Sequence, residues 1–445
     1  MKKTVCVLAA CAVIVTAILG ACSKKESAET GNSGGGNVKR EVVKFWYSNG
    51  GDSEVWEKWR IGEFEGDFPQ YVVESTYVPD GAGISNGKLM AAINSGDVPD
   101  VICTSAIAQS YSMAAQGAFE PIDKELSAVG FDFSKVNPAV LDLIKYNGAS
   151  YLYPQNTDAN LLFWRTDIFE EAGLDPAKPP RTIAELDAMA EKLVKREGGQ
   201  VVRYGFIPWI DAGAASSLWP RQFGADPYDE STNTVTLSNP AMAGIYEWQR
   251  SYAKKYDPER LRSFISNMGA AFSPDHPFMQ GKVVMTVVGN WFCNALRIYA
   301  PDLPYEVAPI PALTEDLYGG CTLSGNVYAF PKGAENLLGG VYFAHYNQEA
   351  KILDDNNKLW RSLGIFPDSF EGLSLYQEKD PKLLTCIEIS FNKNSGQWVL
   401  SPITSQLDDK LTSFRDEAIY TDNNILNGLK EIETALQAEV ARLSR

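Results

Sequence analysis

The sequence predicts an α/β protein of two lobes, and three observations carry that prediction. The chain has 445 residues, which at a soft prior of about 150 residues per domain allows two or three domains. From residue 41 onward, short apolar runs alternate with helix-length segments, the order of a mostly parallel sheet flanked by helices. Finally, Tyr151 to Gly173, YLYPQNTDANLLFWRTDIFEEAG, reads as strand, polar break, strand and helix. Pro154 cannot continue a central ladder, and Gln155 to Asn160 is polar and small. A polar hexapeptide between two buried strands implies a backbone crossing between two lobes.

The elements follow in order. Glu41–Tyr47 (EVVKFWY) is a strand, and Ser48-Asn49-Gly50-Gly51 turns into a helix from about Ser53 to Phe64, with Val55, Trp56, Trp59 and Phe64 supplying its apolar face. Tyr71–Val78 is a strand, Asn86–Ser95 a helix stopped by Gly96, and Val98–Cys103 another strand, followed by a helix to Gly117. After the crossing, Thr166 or Asp167 can cap a helix that Gly173 ends. Thr182-Ile-Ala-Glu185 is a capping box, opening a helix to about Glu197 that Gly198-Gly199 closes. Tyr204–Trp209, Val283–Val288, Tyr305–Ile310 and Asn326–Phe330 read as strands, Tyr246–Tyr256 as a helix, and the chain beyond about Ser405 as helical.

Composition narrows the function. Hydrophobic residues make up 45% and charged ones 22% of a chain with net charge −16, ordinary values for a soluble protein with a sizeable core. No basic cluster is visible, so a nucleic-acid groove is not expected. Lys2 and Lys3 precede an apolar run from Val5 to Leu19, the pattern of an export signal, which is short against the ~20 residues of a membrane span. Leu19-Gly20-Ala21-Cys22 resembles the lipobox of bacterial lipoproteins, which implies lipidation at Cys22 after a signal at 1–21. Residues 22–40 are Ser, Gly, Asn, Lys and Glu-rich and read as a tether. Cys103, Cys293, Cys321 and Cys386 are widely spaced without a CxxC pair; disulfides and buried free thiols both remain open, and zinc is not expected. The two histidines, His276 and His345, sit in no metal or nucleophile motif. No phosphate loop is present, and Gly81-Ala82-Gly83 with Gly87 misses a dinucleotide fingerprint by one residue.

Several segments in order resemble the extracellular solute-binding proteins of bacterial carbohydrate importers, the group of the maltose-binding protein. Phe45-Trp46-Tyr47-Ser48-Asn49-Gly50 resembles the family's first strand and loop. Residues 88–101, KLMAAINSGDVPDV, are similar to its "L-x-A-A-I-A-S-G-D-x-P-D-V", and Ala115–Ile122 to "Q-G-x-L-x-P-L". Tyr151–Gly173 is similar to "Y-G-L-P…Y-N-K-D-L-F-E-E-A-G-L", departing from it at Phe163-Trp164-Arg165. Pro277–Met285 is similar to "F-x-x-G-K-A-A-M", followed by Gly289-Asn290-Trp291. The resemblance implies the type II periplasmic-binding-protein fold, two α/β lobes joined by hinge strands with a ligand cleft between them. Carried over, one lobe spans 41–156 plus 305–388 and the other 157–304 plus 389–445.

It also implies a binding protein rather than an enzyme, with no cofactor and no metal. Such a protein is a monomer, touches the membrane only through its lipid and serves an ABC permease. It is exported, facing the periplasm or the exterior. A sugar offers an apolar face to an aromatic plane and hydroxyls to Asp, Asn and Arg, near the strand ends where open α/β sheets bind ligands. On that basis Trp291 is the stacking candidate and Asp158 and Asn160 are hydroxyl partners. Asn49, Asp52 and Ser105 are further candidates, although Asp52 and Ser105 can equally cap helices. Trp209, Asp211, Trp219 and Arg221 follow the 204–209 run; Ser324 lies in the return crossing and Trp398 in the C-terminal part. The rivals are a secreted carbohydrate hydrolase or lyase with a carboxylate pair, and a binder of another solute, such as a polyol phosphate, which several cations should meet.

Overall fold

A computed structural model describes residues 40–443 apart from Asn49, Gly51, 80–86 and Trp398, and without the side chains of Asp52, Ser53 and Ala139. Asn49, Trp398, Cys22 and the segment 1–39 therefore lie outside the described residues, as does the side chain of Asp52. Residues 40–445 form one compact unit. Among the described residues no helix is long and apolar enough to cross a membrane.

Two sheets organise this unit. The first runs in the order β2-β1-β3-β9-β4, with β1 at Glu41–Tyr47, β2 at Tyr71–Tyr77, β3 at Val101–Thr104, β4 at Leu152–Pro154 and β9 at Val327–Ala329. β1 is parallel to β2 and β3, whereas β9 runs antiparallel to β3 and β4. The second sheet centres on β5, Asp158–Arg165. It pairs antiparallel with β6 (Met285–Gly289), β7 (Tyr305–Ala308) and β8 (Leu323–Ser324). Seven consecutive β5 residues, Asp158 to Trp164, are buried, as a strand covered on both faces requires.

The chain passes between the sheets twice, side by side. Gln155-Asn156-Thr157 joins β4 to β5, and Gly325-Asn326 joins β8 to β9. The Gln155 N–H donates to the Asn326 carbonyl at 2.8 Å, and the Asn326 N–H to Asn156 Oδ1 at 2.8 Å. Gly325 has φ +140°, and a Cβ there would lie 2.6 Å from the Asn156 carbonyl oxygen, so only glycine fits this crossing. Leu363 exchanges both backbone bonds with Thr157, at 2.7 and 2.9 Å, bringing a third segment against the first crossing.

The polar break is thus shorter than expected. Asp158 and Asn160 belong to β5, because their backbone groups join the β8 and β6 ladders. Within 305–324, expected in the first lobe, β7 and β8 pair with β5 of the second sheet, and β9 is the next strand of the first sheet. The helix α6 at Pro381–Ser390 packs on β5 and β7 as well.

Several local expectations are corrected by packing. The helix α1 (Asp52–Asp67) buries Trp56 and Phe64, but Val55 is 69% and Trp59 38% exposed, because positions 55 and 59 fall on the solvent face. The helix Thr166–Glu171 has Arg165 at its N-cap, without a side-chain cap bond; Asp167, inside the first turn, binds the Arg165 guanidinium. The Thr182–Glu185 capping box is present, yet that helix ends at Leu193, and Gly198-Gly199 turns a hairpin between Lys195–Glu197 and Gln200–Arg203. Tyr204–Trp209 forms no strand beyond a single bridge from Tyr204 to Val283. All four described cysteines are buried free thiols.

The candidate ligand cleft

A cavity of 260 Å³ opens beside the paired crossings. Ser105 and Gln109 reach it from the end of β3 and from α2 (Ile107–Ala115). Asn160, Thr322 and Ser324 form its floor, and Ser217 and Leu218 the facing wall. Gln397, Thr404 and Asp408 close it from the C-terminal part. A second cavity of 880 Å³ shares Ser217, Gln397 and Leu400 with the first and continues past Arg221 to Asp142 and Glu230.

The floor is built by strand pairing. Asn160 faces Gly289 across the ladder, and its Nδ2 donates to the Thr322 carbonyl at 2.7 Å. That bond holds the amide and leaves Oδ1 as an acceptor on the cavity floor. Ser105 does not cap α2, whose N-cap Ala106 has no side-chain partner, and its exposed hydroxyl lines the cavity. Ser216 Oγ donates to Asp408 Oδ1. Burial raises the Asp408 carboxyl above its usual range despite that bond.

Asp158 sits one turn of the pleat from Asn160 but performs different work. It accepts from Ser362 Oγ at 2.7 Å and from Asn156 Nδ2 at 3.4 Å, tying the first crossing to the segment paired with Thr157. Desolvation lifts its pKa to about 6, against these two bonds, which pull it down.

The remaining candidates separate. Trp219 is 1% exposed, donates to the Pro208 carbonyl at 2.9 Å and packs edge-on against Trp248. Trp209 is 4% exposed and donates to Tyr420 Oη. Both are core residues, a correction to the cleft roles expected of them. Asp211 holds the turn that follows: it receives His276 Nε2 at 3.0 Å and the Thr286 hydroxyl, so its oxygens are committed. Trp291 lines neither cavity; its indole stacks on Phe272 at 5.6 Å and 19° and lies against the Gly289 backbone. Arg221 lines the larger cavity and donates to the Gln397 carbonyl at 3.0 Å, while burial depresses its pKa. Gln109, Ser217, Thr322, Gln397 and Asp408 also line the smaller cavity and are not among the residues expected from sequence. Only Thr322, next to the return crossing, carried a usable signal. Among the described residues no cluster of three potential metal ligands occurs.

Two sheets, paired crossings and a polar cavity at their junction define the class: a two-lobed binding protein of the periplasmic type II fold. More narrowly, the chain belongs to the family "Bacterial extracellular solute-binding protein", whose model matches residues 49–346. Among curated relatives, the arabinooligosaccharide-binding protein of Bacillus subtilis (strain 168) is 21% identical over 372 residues, 82% of this chain and 80% of that protein. The sn-glycerol-3-phosphate-binding periplasmic protein UgpB of Escherichia coli (strain K12) is 24% identical over 63% of this chain, which spans 65% of that protein. Among solved structures, CpMnBP1 with mannotriose bound superposes with TM-score 0.80 at 28% identity, over 90% of this chain and 99% of that one. UgpB of Mycobacterium tuberculosis with glycerophosphocholine gives TM-score 0.74 at 20% identity and shares the fold.

Proposed function

We propose that the protein is the binding subunit of a carbohydrate ABC importer. It captures an oligosaccharide at the junction of its lobes and presents the closed, loaded form to a membrane permease. One observation carries the reading: the cavity over the crossings is lined by uncharged hydroxyls and amides, Ser105, Gln109, Asn160, Ser217, Thr322 and Gln397 among them, with Asp408 the one charged lining side chain among the described residues. Such groups suit a neutral ligand rich in hydroxyls. The adjoining 880 Å³ space gives room for further sugar units. A mannotriose-bound relative and an arabinooligosaccharide-binding relative support the same class. A hydrolase would need two carboxylates about 5–10 Å apart at the bond to be cut, and the lining of the smaller cavity offers one.

In this reading Cys22 carries lipid, 22–40 is a tether, and the lobes divide near 156–157 and 325–326 and again in the segment after Trp360. The protein is then a monomer anchored at the membrane face outside the cell or in the periplasm. Arg221 favours a second reading, a polyol phosphate, because its half-buried guanidinium lines the larger cavity and is bonded there to the Gln397 carbonyl. A thermal-shift panel of purified protein separates the two. Stabilisation by a mannose or arabinose oligosaccharide, about 2.7 kcal/mol at 100 times its dissociation constant, supports the sugar. A shift only with glycerol phosphate, lost in Arg221→Gln, overturns it.

A further inference from the structure

A third cavity, of 290 Å³, shares no lining residue with the cleft. It lies where α4 (Phe292–Tyr299), the end of α5 (Ala350–Trp360) and the start of α6 meet. Four cationic side chains line it, Arg297, Lys358, Arg361 and Lys382, against one carboxylate, Asp380. On a chain of net charge −16, that concentration of positive charge is a local reversal of sign. We propose that this cavity is an anion site for a small tetrahedral dianion of the phosphate type, separate from the sugar cleft.

The existing partners leave charge over. Asp380 already pairs with Arg361 at 2.9 Å and accepts the N–H groups of Lys382 and Leu383 at the start of α6. Lys358 is matched by Asp354 at 2.7 Å on its own helix. The carboxylate nearest Lys382 is Glu306, at 3.8 Å. Arg297 is held by Asn294 Oδ1 at 2.6 Å and makes no ion pair among the described residues. Arg297 and Lys382 therefore present donors that a dianion can take up, and guanidinium and ammonium groups bind phosphate oxygens with short, charge-assisted bonds.

The frame behind them is rigid. Arg361 adopts φ +57°, unusual for a residue with a side chain, and caps the end of α5. Its carbonyl accepts from Asn290 Nδ2, whose own Oδ1 receives the Ala159 N–H of β5. A strained backbone held by buried partners is the kind of feature that marks a preorganised site.

The test is calorimetric titration of the purified protein with inorganic phosphate, ionic strength held constant with sodium chloride so that screening is matched. The comparison is the double variant Arg297→Gln, Lys382→Gln, which removes the two cations that have no close carboxylate. Saturable one-to-one binding in the parent, weakened at least about tenfold in the variant with its sugar response unchanged, is the expected result. No saturable binding above the chloride background would overturn the proposal. So would phosphate binding of equal strength in the variant, which would place the anion elsewhere, for example at Arg221.

Discussion

Asp158 shows how one buried carboxylate shapes the hinge. Its folded pKa of about 6 lies above the ordinary value of 3.8, because desolvation outweighs the bonds from Ser362 and Asn156. The sign follows from proton linkage. Between pH 4 and 6 the folded state holds a proton that the unfolded state has released, so this group's contribution to stability falls as pH rises through that window. Two pKa units correspond to about 3 kcal/mol. Asp158→Asn should therefore gain on the parent from pH 4 to 6 and keep a constant advantage above; urea unfolding across that range measures it. A difference that does not vary with pH would show the carboxyl to be solvated. Gly325 makes the complementary point about backbone. Gly325→Ala puts a Cβ 2.6 Å from the Asn156 carbonyl oxygen at φ +140°, and should cost more than about 1 kcal/mol. An unchanged unfolding midpoint would mean the two crossings relax apart freely.

At the scale of elements, legibility tracked how local the determining physics was. The crossing in 151–173 was readable because Pro154 and the following polar residues interrupt two apolar runs, and β5 is long and apolar enough to be a central strand. The Thr182–Glu185 box was readable because both of its bonds close within four residues. What failed depended on distant partners. Tyr204–Trp209 has strand composition, yet only Tyr204 finds a strand partner. Trp209 and Trp219 have the chemistry of sugar platforms, but helices from far along the chain bury them. Asp211 has the chemistry of a hydroxyl partner, but His276, 65 residues away, and Thr286 take up its oxygens. Gln397 and Asp408 could not be placed in the cleft because nothing local in the C-terminal part signals which face meets α2. The cysteines gave no pairing signal, and the structure keeps all four described ones buried as free thiols. Thiol titration of the native protein should accordingly leave Cys103, Cys293, Cys321 and Cys386 unreacted until it unfolds; fast labelling of any of them would contradict their burial.

For the molecule as a whole, the two sheets are joined by short crossings that bond to each other, while the lobes meet across solvent-sized cavities. That arrangement permits rigid-body hinge motion of the sheets about Gln155–Thr157 and Gly325–Asn326. Ligand can favour the closed form only through groups that it contacts on both sides, and Gln109 and Asn160 stand on opposite sides of the smaller cavity. Small-angle scattering should therefore show a smaller radius of gyration when a saturating oligosaccharide is added; identical curves would exclude closure. The most direct test of the central claim is the affinity of that oligosaccharide, measured by calorimetry, for the parent and for Gln109→Ala and Asn160→Ala, with folding checked by thermal midpoint. Each lost hydroxyl partner should cost about 1–3 kcal/mol, roughly 5- to 150-fold in affinity. Parental affinity in both folded variants would contradict capture of sugar between the lobes at this cavity.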